Sequence, residues 1–145
     1  MYKSILIATD GSELAGKAVN AGLQLAKELK SKVSAVTVTE PWTAYVTGEA
    51  AIAFPLDEYE KSVAEIAARA LAEVDSAAKN VGVDCKGIHV KDQYPADGIL
   101  ETAKSLGCDL IVMSSHGRRG LGRLLLGSAA VSVLTHSSIP VLICR

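Results

Sequence analysis

The sequence predicts an α/β fold, an open sheet of five parallel strands with helices on both faces. Short apolar, β-branched runs alternate with longer segments in which apolar residues recur every three to four positions. This βαβαβαβαβ order requires crossover connections, and right-handed crossovers place helices on both faces of a parallel sheet. The 145 residues suit one domain, and no linker or low-complexity tract divides them. We therefore expect a single domain over residues 1–145.

The first three elements form a strand, helix, strand unit. Residues 4–9, SILIAT, are a short apolar run of the kind buried on both faces of a parallel sheet. Ser12 is placed to cap a helix over about residues 13–30, whose apolar side chains recur at helical spacing. Residues 32–38, KVSAVTV, return to strand character and complete the unit.

The segment from Glu40 to Leu56 has neither periodicity and is predicted to be an irregular, mobile surface excursion. It contains two prolines, a glycine and half of the chain's six aromatic residues. Asp57 and Glu60 have the spacing of a capping box. They predict the start of a long amphipathic helix that ends near Val81.

The second half of the chain repeats the alternation of strands and helices. Pro95 suits the first turn of a helix, because proline lacks the amide hydrogen that is unpaired there. Gly107 suits the end of that helix. The predicted elements are, in order, a strand over residues 84–90, a helix over about 95–106, a strand over 109–113, a helix over about 127–136 and a strand over 140–144.

Composition and charge argue against several classes of function. A net charge of -1 gives no basic face for nucleic acid. No apolar run approaches the roughly 20 residues that cross a bilayer, and no export signal precedes the first strand. The three cysteines are odd in number and lack zinc-site spacing, so they are interpreted as buried thiols. We expect a cytoplasmic protein with no nucleic-acid or membrane partner.

A loop rich in glycine, serine and arginine follows the fourth predicted strand. Residues 113–129 read MSSHGRRGLGRLLLGSA. Glycines let backbone amides approach a ligand closely and adopt positive φ. Gly127 and Ser128 stand at a predicted helix start, where unpaired amides and the helix dipole favour an anion such as phosphate. Hydroxyl groups and arginines add donors and positive charge, so the loop suits a bound phosphate chain.

The loop matches neither of two common phosphate-binding fingerprints. No Gly-Lys-Ser/Thr ends it, as in a Walker A loop, and it follows the fourth strand, whereas the dinucleotide-binding fingerprint follows the first. A tight strand-to-helix connection also needs glycine. From spacing alone, a ligand site and a purely structural turn are equally open.

Three stretches of the chain resemble the universal stress protein family. They are the opening KSILIATDGSELAGKAV, the run DLIVMSSHGRRGLGRLLLGSAA and the close SSIPVLICR, so the resemblance covers essentially the whole length. It implies a Rossmann-like, adenine nucleotide alpha hydrolase-like sheet with strand order 3-2-1-4-5. That order reverses beside the first strand, and open α/β sheets bind ligands at such a switch point.

The ATP-binding members of that family carry the fingerprint G-x2-G-x9-G-(S/T), and this sequence departs from it at one position. Gly117 matches the second glycine, and nine residues separate it from Gly127 and Ser128. Ser114 occupies the position of the first glycine. Two outcomes are open at this position. Either the Cβ of Ser114 crowds a closely approaching ligand, or the serine is accommodated, which requires that φ stays negative and that the hydroxyl donates a hydrogen bond.

The resemblance also implies a nucleotide site around this loop. Asp10 would contact the ribose or the metal–phosphate group, with Mg²⁺ held through the nucleotide phosphates; capping of local amides is its structural alternative. Ala8 and Val38 match positions of an adenine pocket, although small apolar side chains at strand ends also suit a core. The implied site residues are Ala8, Asp10, Val38, Met113, Ser114, Gly117, Gly127, Ser128 and Ala129.

Three functions are compatible with these residues. The favoured one is a stress-response protein that binds ATP or a related adenine nucleotide and acts as a nucleotide-dependent regulatory module. The alternative, motivated by Ser114, is a homodimeric stress regulatory protein that binds no nucleotide. A slow ATP hydrolase is least favoured, because no group with identifiable spacing positions a nucleophile. No catalytic residue is assigned, and His116 is interpreted as a loop residue.

The fifth strand is expected to form a homodimer interface. Val141, Leu142 and Ile143 make an apolar segment at what the family topology places as a sheet edge. An open apolar edge favours pairing with another strand. The resemblance implies pairing of the last strands about a two-fold axis, the commonest closed symmetry.

Overall fold

The computed structural model describes residues 1–117 and 125–145, and it confirms the predicted fold class. All strand pairs are parallel, in the order β3-β2-β1-β4-β5. The strands are β1 (Ser4–Ala8), β2 (Lys32–Val38), β3 (Cys85–Val90), β4 (Leu110–Ser114) and β5 (Val141–Cys144). The helices are α1 (Glu13–Leu29), α2 (Ala50–Ala53), α3 (Leu56–Val81), α4 (Pro95–Ser105) and α5 (Ser128–His136).

The central strand β1 supplies side chains to the cores on both faces of the sheet. Ile5 and Ile7 pack in a cluster with residues of α1 and α3, and Leu6 and Ala8 pack in a second cluster with residues of α4 and α5. Ile5, Leu6 and Ile7 are completely buried. Because alternate residues of a strand face opposite sides, burial on both faces explains the continuous apolar run.

Helix α1 begins as the sequence predicts and packs very closely on the sheet. The Ser12 hydroxyl accepts a hydrogen bond from the Ala15 amide at 3.2 Å and caps the helix. A Cβ at Gly22 would lie 2.7 Å from both Cγ1 and Cδ1 of Ile7. Gly22 is therefore required by the short distance between helix and strand rather than by its φ angle.

Gly22→Ala is expected to lower the free energy of unfolding by about 1–3 kcal/mol, because the added methyl overpacks a filled core. Gly16 lies in the same helix, and a Cβ there would meet nothing within 4 Å. Gly16→Ala should instead raise the free energy of unfolding by about 0.5–1 kcal/mol by reducing the entropy of the unfolded chain. Urea denaturation measures both values, and equal midpoints for the two variants would contradict this account.

The excursion between β2 and α3 contains more structure than the sequence predicts. A 3-10 helix, Trp42–Ala44, and the single-turn helix α2 lie within it. The capping-box prediction is wrong, because α3 begins after Pro55, which makes no side-chain capping bond. Proline fixes its own φ near the value found here, -61°, and it directs the chain into the helix. Asp57 lies inside the first turn, where its charge suits the helix dipole.

The cysteines are all free thiols, partly or fully buried, and desolvation raises the pKa of each. Cys108 is buried, and desolvation raises its pKa. Desolvation, with smaller contributions from Asp75 and Asp84, raises the pKa of Cys85 to about 11. Since the thiolate is the reactive form, both side chains are poor nucleophiles near neutral pH.

None of the helices in the described part of the chain is both long and apolar enough to cross a membrane.

Candidate functional site

A cavity of about 800 Å³ opens at the carboxyl ends of β1, β2 and β4. This is the point where strand order reverses beside β1, the usual ligand position in open α/β sheets. Its volume falls in the range of small-molecule sites. All nine sequence-predicted site residues line it: Ala8, Asp10, Val38, Met113, Ser114, Gly117, Gly127, Ser128 and Ala129.

Small and apolar side chains from three strands line one part of the cavity. Ala8 and Met113 are both buried and belong to the core cluster beneath α4 and α5. Val38 packs against the same cluster, and a Cβ at Gly98 would lie 2.7 Å from Val38 Cγ2. Ala8 and Val38 therefore belong to the core and also line the cavity. Their role in the core is compatible with a ligand bound beside them.

Asp10 follows β1 and lies between the start of α1 and the loop after β4. Its Oδ1 accepts a hydrogen bond from the Ser12 amide at 2.9 Å. Its Oδ2 lies on the other side, 2.6 Å from where a Cβ on Gly117 would stand. The carboxylate thus caps local amides, as the structural alternative predicts, and also lines the cavity. Gly117 leaves room for it.

Gly127 is the last residue before α5 and touches the loop that follows β4. Its amide donates to the Ser115 carbonyl at 2.7 Å. A Cβ at Gly127 would lie 3.1 Å from that carbonyl oxygen and 3.3 Å from His116 Cα. The expectation of positive φ is wrong here, because Gly127 has φ -65° and Gly117 is also outside the positive region. Close backbone approach is what requires glycine.

Ser114 is the last residue of β4 and replaces the first glycine of the fingerprint. Its backbone pairs with Cys144 of β5, and its φ is not positive, so the backbone accepts a Cβ without strain. The hydroxyl donates to the His116 carbonyl at 2.7 Å. We expected that hydroxyl to donate to a ligand, whereas in the structure its proton fixes the turn between β4 and Gly117.

The N-terminus of α5 lies at the cavity. Gly127 has no side chain with which to cap the helix. Ser128 and Ala129, the first two helical residues, line the cavity. The partial positive charge at a helix N-terminus favours a phosphate there.

Several residues of the predicted phosphate loop lie outside the described part of the chain. They are Arg118, Arg119, Gly120, Gly122 and Arg123. Within the described ranges, no three His, Cys, Asp or Glu side chains are grouped so as to hold a metal ion. Asp10 and Glu40 are the acidic residues among the lining groups.

Sequence reasoning missed the cavity wall that comes from the excursion and from α3. Tyr45 and Phe54 line the cavity, and so do Tyr59, Val63 and Ile66 of α3. The signal was compositional, because four of the six aromatic residues of the chain fall between positions 42 and 59. The absence of helical or strand periodicity in that segment hid where those side chains would lie.

Comparison with known proteins gives a consistent result over the whole chain. The model of the Universal stress protein family matches residues 1–145. Universal stress protein YxiE of Bacillus subtilis is 32% identical, with 100% of both chains covered. The solved structure of MJ0577, a universal stress protein of Methanocaldococcus jannaschii, has a TM-score of 0.79 at 30% identity, covering 99% of this chain and 96% of that one.

A second solved structure bears on the ligand. It is a universal stress protein in complex with cAMP, with a TM-score of 0.71 at 26% identity, covering 99% of this chain and 97% of that one.

Proposed function

Because this chain belongs to the universal stress protein family, we propose that it binds ATP or a related adenine nucleotide and acts as a nucleotide-dependent regulatory module in the cytoplasm. The observation that supports the proposal is the cavity at the strand-order reversal, which all nine predicted site residues line. The cAMP complex of a related universal stress protein supports an adenine nucleotide as the ligand.

In the proposed arrangement the base lies against Ala8 and Val38, and Asp10 contacts the ribose or the metal–phosphate group. The phosphates lie beside Gly117 and at the helix start formed by Gly127 and the residues after it. Backbone amides neutralise part of their charge there. Mg²⁺, where present, is held through the phosphates, and no catalytic residue is assigned.

Calorimetry with Mg-ATP tests the proposal. We expect micromolar affinity, about -7 to -9 kcal/mol, and a rise in melting temperature with ligand concentration, because ATP binds only the folded state. Mass spectrometry of small molecules released from the purified, denatured protein should detect an adenine nucleotide. No heat and no thermal shift at millimolar ATP would instead support the alternative, a homodimeric regulator that binds no nucleotide.

Ser114 is the residue that motivates that alternative, and its hydroxyl gives a separate prediction. Ser114→Ala keeps the Cβ but removes the bond to the His116 carbonyl. We expect ATP affinity to fall about 2- to 12-fold, the equivalent of one hydrogen bond of 0.5–1.5 kcal/mol. Ser114→Gly should weaken binding at least as much. Tighter binding by Ser114→Gly than by the wild type would show that the Cβ crowds the ligand.

We also propose that the protein is a homodimer paired through β5. This strand lies at an edge of the sheet, and Leu142 is 41% exposed on it. Val131 and Leu134 of α5 add exposed apolar surface. Edge strands with exposed apolar side chains favour pairing.

A further inference from the structure

An aromatic cluster forms one wall of the cavity, on the side of the excursion and α3. Tyr45, Phe54 and Tyr59 line the cavity and pack on one another. The ring centroids of Tyr45 and Tyr59 are 5.9 Å apart, and those of Phe54 and Tyr59 are 6.1 Å apart in an edge-to-face arrangement. Half of the six aromatic residues in the chain therefore lie at one cavity.

Two hydrogen bonds hold this wall in position. The Tyr59 hydroxyl donates to the Glu40 carbonyl at 2.5 Å, which ties α3 to the chain just after β2. The Trp42 indole N–H donates to the Phe54 carbonyl at 2.9 Å, which closes the excursion on itself. Glu40 follows Val38 and Thr39, and all three line the cavity. The wall thus adjoins the part of the cavity where the base is proposed to lie.

The exposure of the rings distinguishes an anchoring role from a binding role. Tyr59 is buried, as expected of an anchor for the excursion. Tyr45 and Phe54 remain 49% and 39% exposed although they line a cavity. Anchoring of the excursion through Tyr59 does not require that the rings of Tyr45 and Phe54 be exposed at the cavity. A planar ligand in the cavity would cover these two rings.

Polar side chains near the end of β2 are already engaged elsewhere. The Thr37 hydroxyl donates to the Thr9 carbonyl at 2.8 Å. The Thr39 hydroxyl lies 2.8 Å from His89 Nε2. These two threonines are therefore poorly placed to form hydrogen bonds with the edge of a base. The aromatic rings, in contrast, can contact the face of a base.

We propose that Tyr45 and Phe54, held in position by Tyr59, form a stacking wall for the nucleotide base, and that this wall makes the cavity select ligands with a planar base over phosphate chains without one. The inference rests on the proposed function and specifies which part of the ligand the aromatic side chains recognise. Base–aromatic stacking contributes affinity with little dependence on the hydrogen-bonding edge of the base.

Calorimetry with two probes, ATP and inorganic triphosphate, tests the wall. Tyr45→Ala and Phe54→Ala should each weaken ATP binding roughly 5- to 150-fold, the range for loss of a stacking contact. Binding of inorganic triphosphate should stay at the wild-type level, because the phosphate end is unchanged. Tyr45→Phe keeps the ring and should retain ATP affinity.

Tyr94→Ala is the matched control, since Tyr94 is 55% exposed and is not among the lining residues. It should bind both probes as the wild type does. Trp42, the single tryptophan of the chain, gives a second signal. The Trp42 indole donates a hydrogen bond to the carbonyl of Phe54, which is one of the proposed stacking residues. The fluorescence of Trp42 should therefore change when ATP binds and should not change with triphosphate.

ATP affinity unchanged in both alanine variants would overturn the wall and leave the proposed function intact. Equal weakening of ATP and triphosphate would also overturn it, because the variants would then act through the fold. Absence of ATP binding by the wild type would overturn the proposed function, and the wall with it.

Discussion

Gly127→Val is expected to abolish ATP binding, with a loss of at least about 100-fold, or 2.7 kcal/mol, while the domain stays folded. A Cβ at this position would already lie 3.1 Å from the Ser115 carbonyl oxygen and 3.3 Å from His116 Cα. Valine adds two methyl groups with few allowed rotamers. The start of α5 must then move away from the loop after β4, and the amides proposed to bind phosphate move with it.

Gly127→Val should disturb the ligand site without unfolding the domain, because the contact that it affects lies at the end of the sheet. Gly127 precedes α5, whereas the buried residues Ala130 and Val133 that hold this helix on the sheet lie further along it. The hydrogen bond from the Gly127 amide to Ser115 is the interaction that the movement weakens. Circular dichroism and urea denaturation should therefore report a folded protein of somewhat reduced stability.

Gly16→Val is the matched control for this substitution. It introduces the same side chain at a glycine of α1 where a Cβ would meet nothing within 4 Å. Its ATP affinity, measured by the same calorimetry, should equal that of the wild type. Wild-type affinity in Gly127→Val would move the phosphate site away from the start of α5, and an unfolded Gly127→Val would be followed by Gly127→Ala, which adds the Cβ alone.

The strands were predictable because each is a buried apolar run between clear breaks. Residues 4–9 of the prediction correspond to β1, Ser4–Ala8, and the run at 109–113 corresponds to β4, Leu110–Ser114. Burial on both faces of a parallel sheet demands such runs, so their sequence signal is strong. The strand order came from the resemblance to a family, since periodicity specifies elements and not their neighbours.

The errors fall where two segments meet or where a single backbone angle decides. Pro55 sets the start of α3, and the more conspicuous Asp57 and Glu60 suggested a different cap. The loop pattern predicts glycines with positive φ, but Gly127 has φ -65°, and its need for glycine comes from contact with Ser115 and His116, which spacing does not reveal. Contacts between distant segments depend on packing, so the sequence alone does not specify them.

The aromatic wall illustrates the same limit. Tyr45 and Phe54 belong to a segment without periodicity, and they line the cavity with Ala8, Met113 and Ser128, which lie at least 37 positions from Tyr45 along the chain. The pattern of the excursion predicts only an irregular surface segment. What sequence reasoning offered was the local density of aromatic residues, a feature of composition that indicates no position in the fold.

The wild-type protein is expected to be a dimer of twice the 15.1 kDa chain mass, and Leu142→Lys should convert it to a monomer. In antiparallel pairing of two β5 strands, Leu142 of each copy lies near the two-fold axis. A lysine there places two like charges in an apolar seam, where an unpaired charge is costly.

Alternation along β5 decides which substitution tests the interface. Val141 and Ile143 pack against the core cluster beneath α4 and α5, and Leu142 points to the other face with 41% of its surface exposed. Ile143→Lys would therefore place a charge in the core and reduce stability, whatever the oligomeric state. Leu142→Lys leaves that core contact unchanged, so it separates the loss of the dimer from the loss of the fold.

Leu106→Lys provides the control for the added charge and for the lost apolar surface. Leu106 is 37% exposed and lines a groove beside β3, at the opposite edge of the sheet. Light scattering at tens of micromolar should report a dimer for this variant and a monomer for Leu142→Lys, with similar melting temperatures. A wild-type monomer, or a dimer that persists in Leu142→Lys, would exclude pairing through β5.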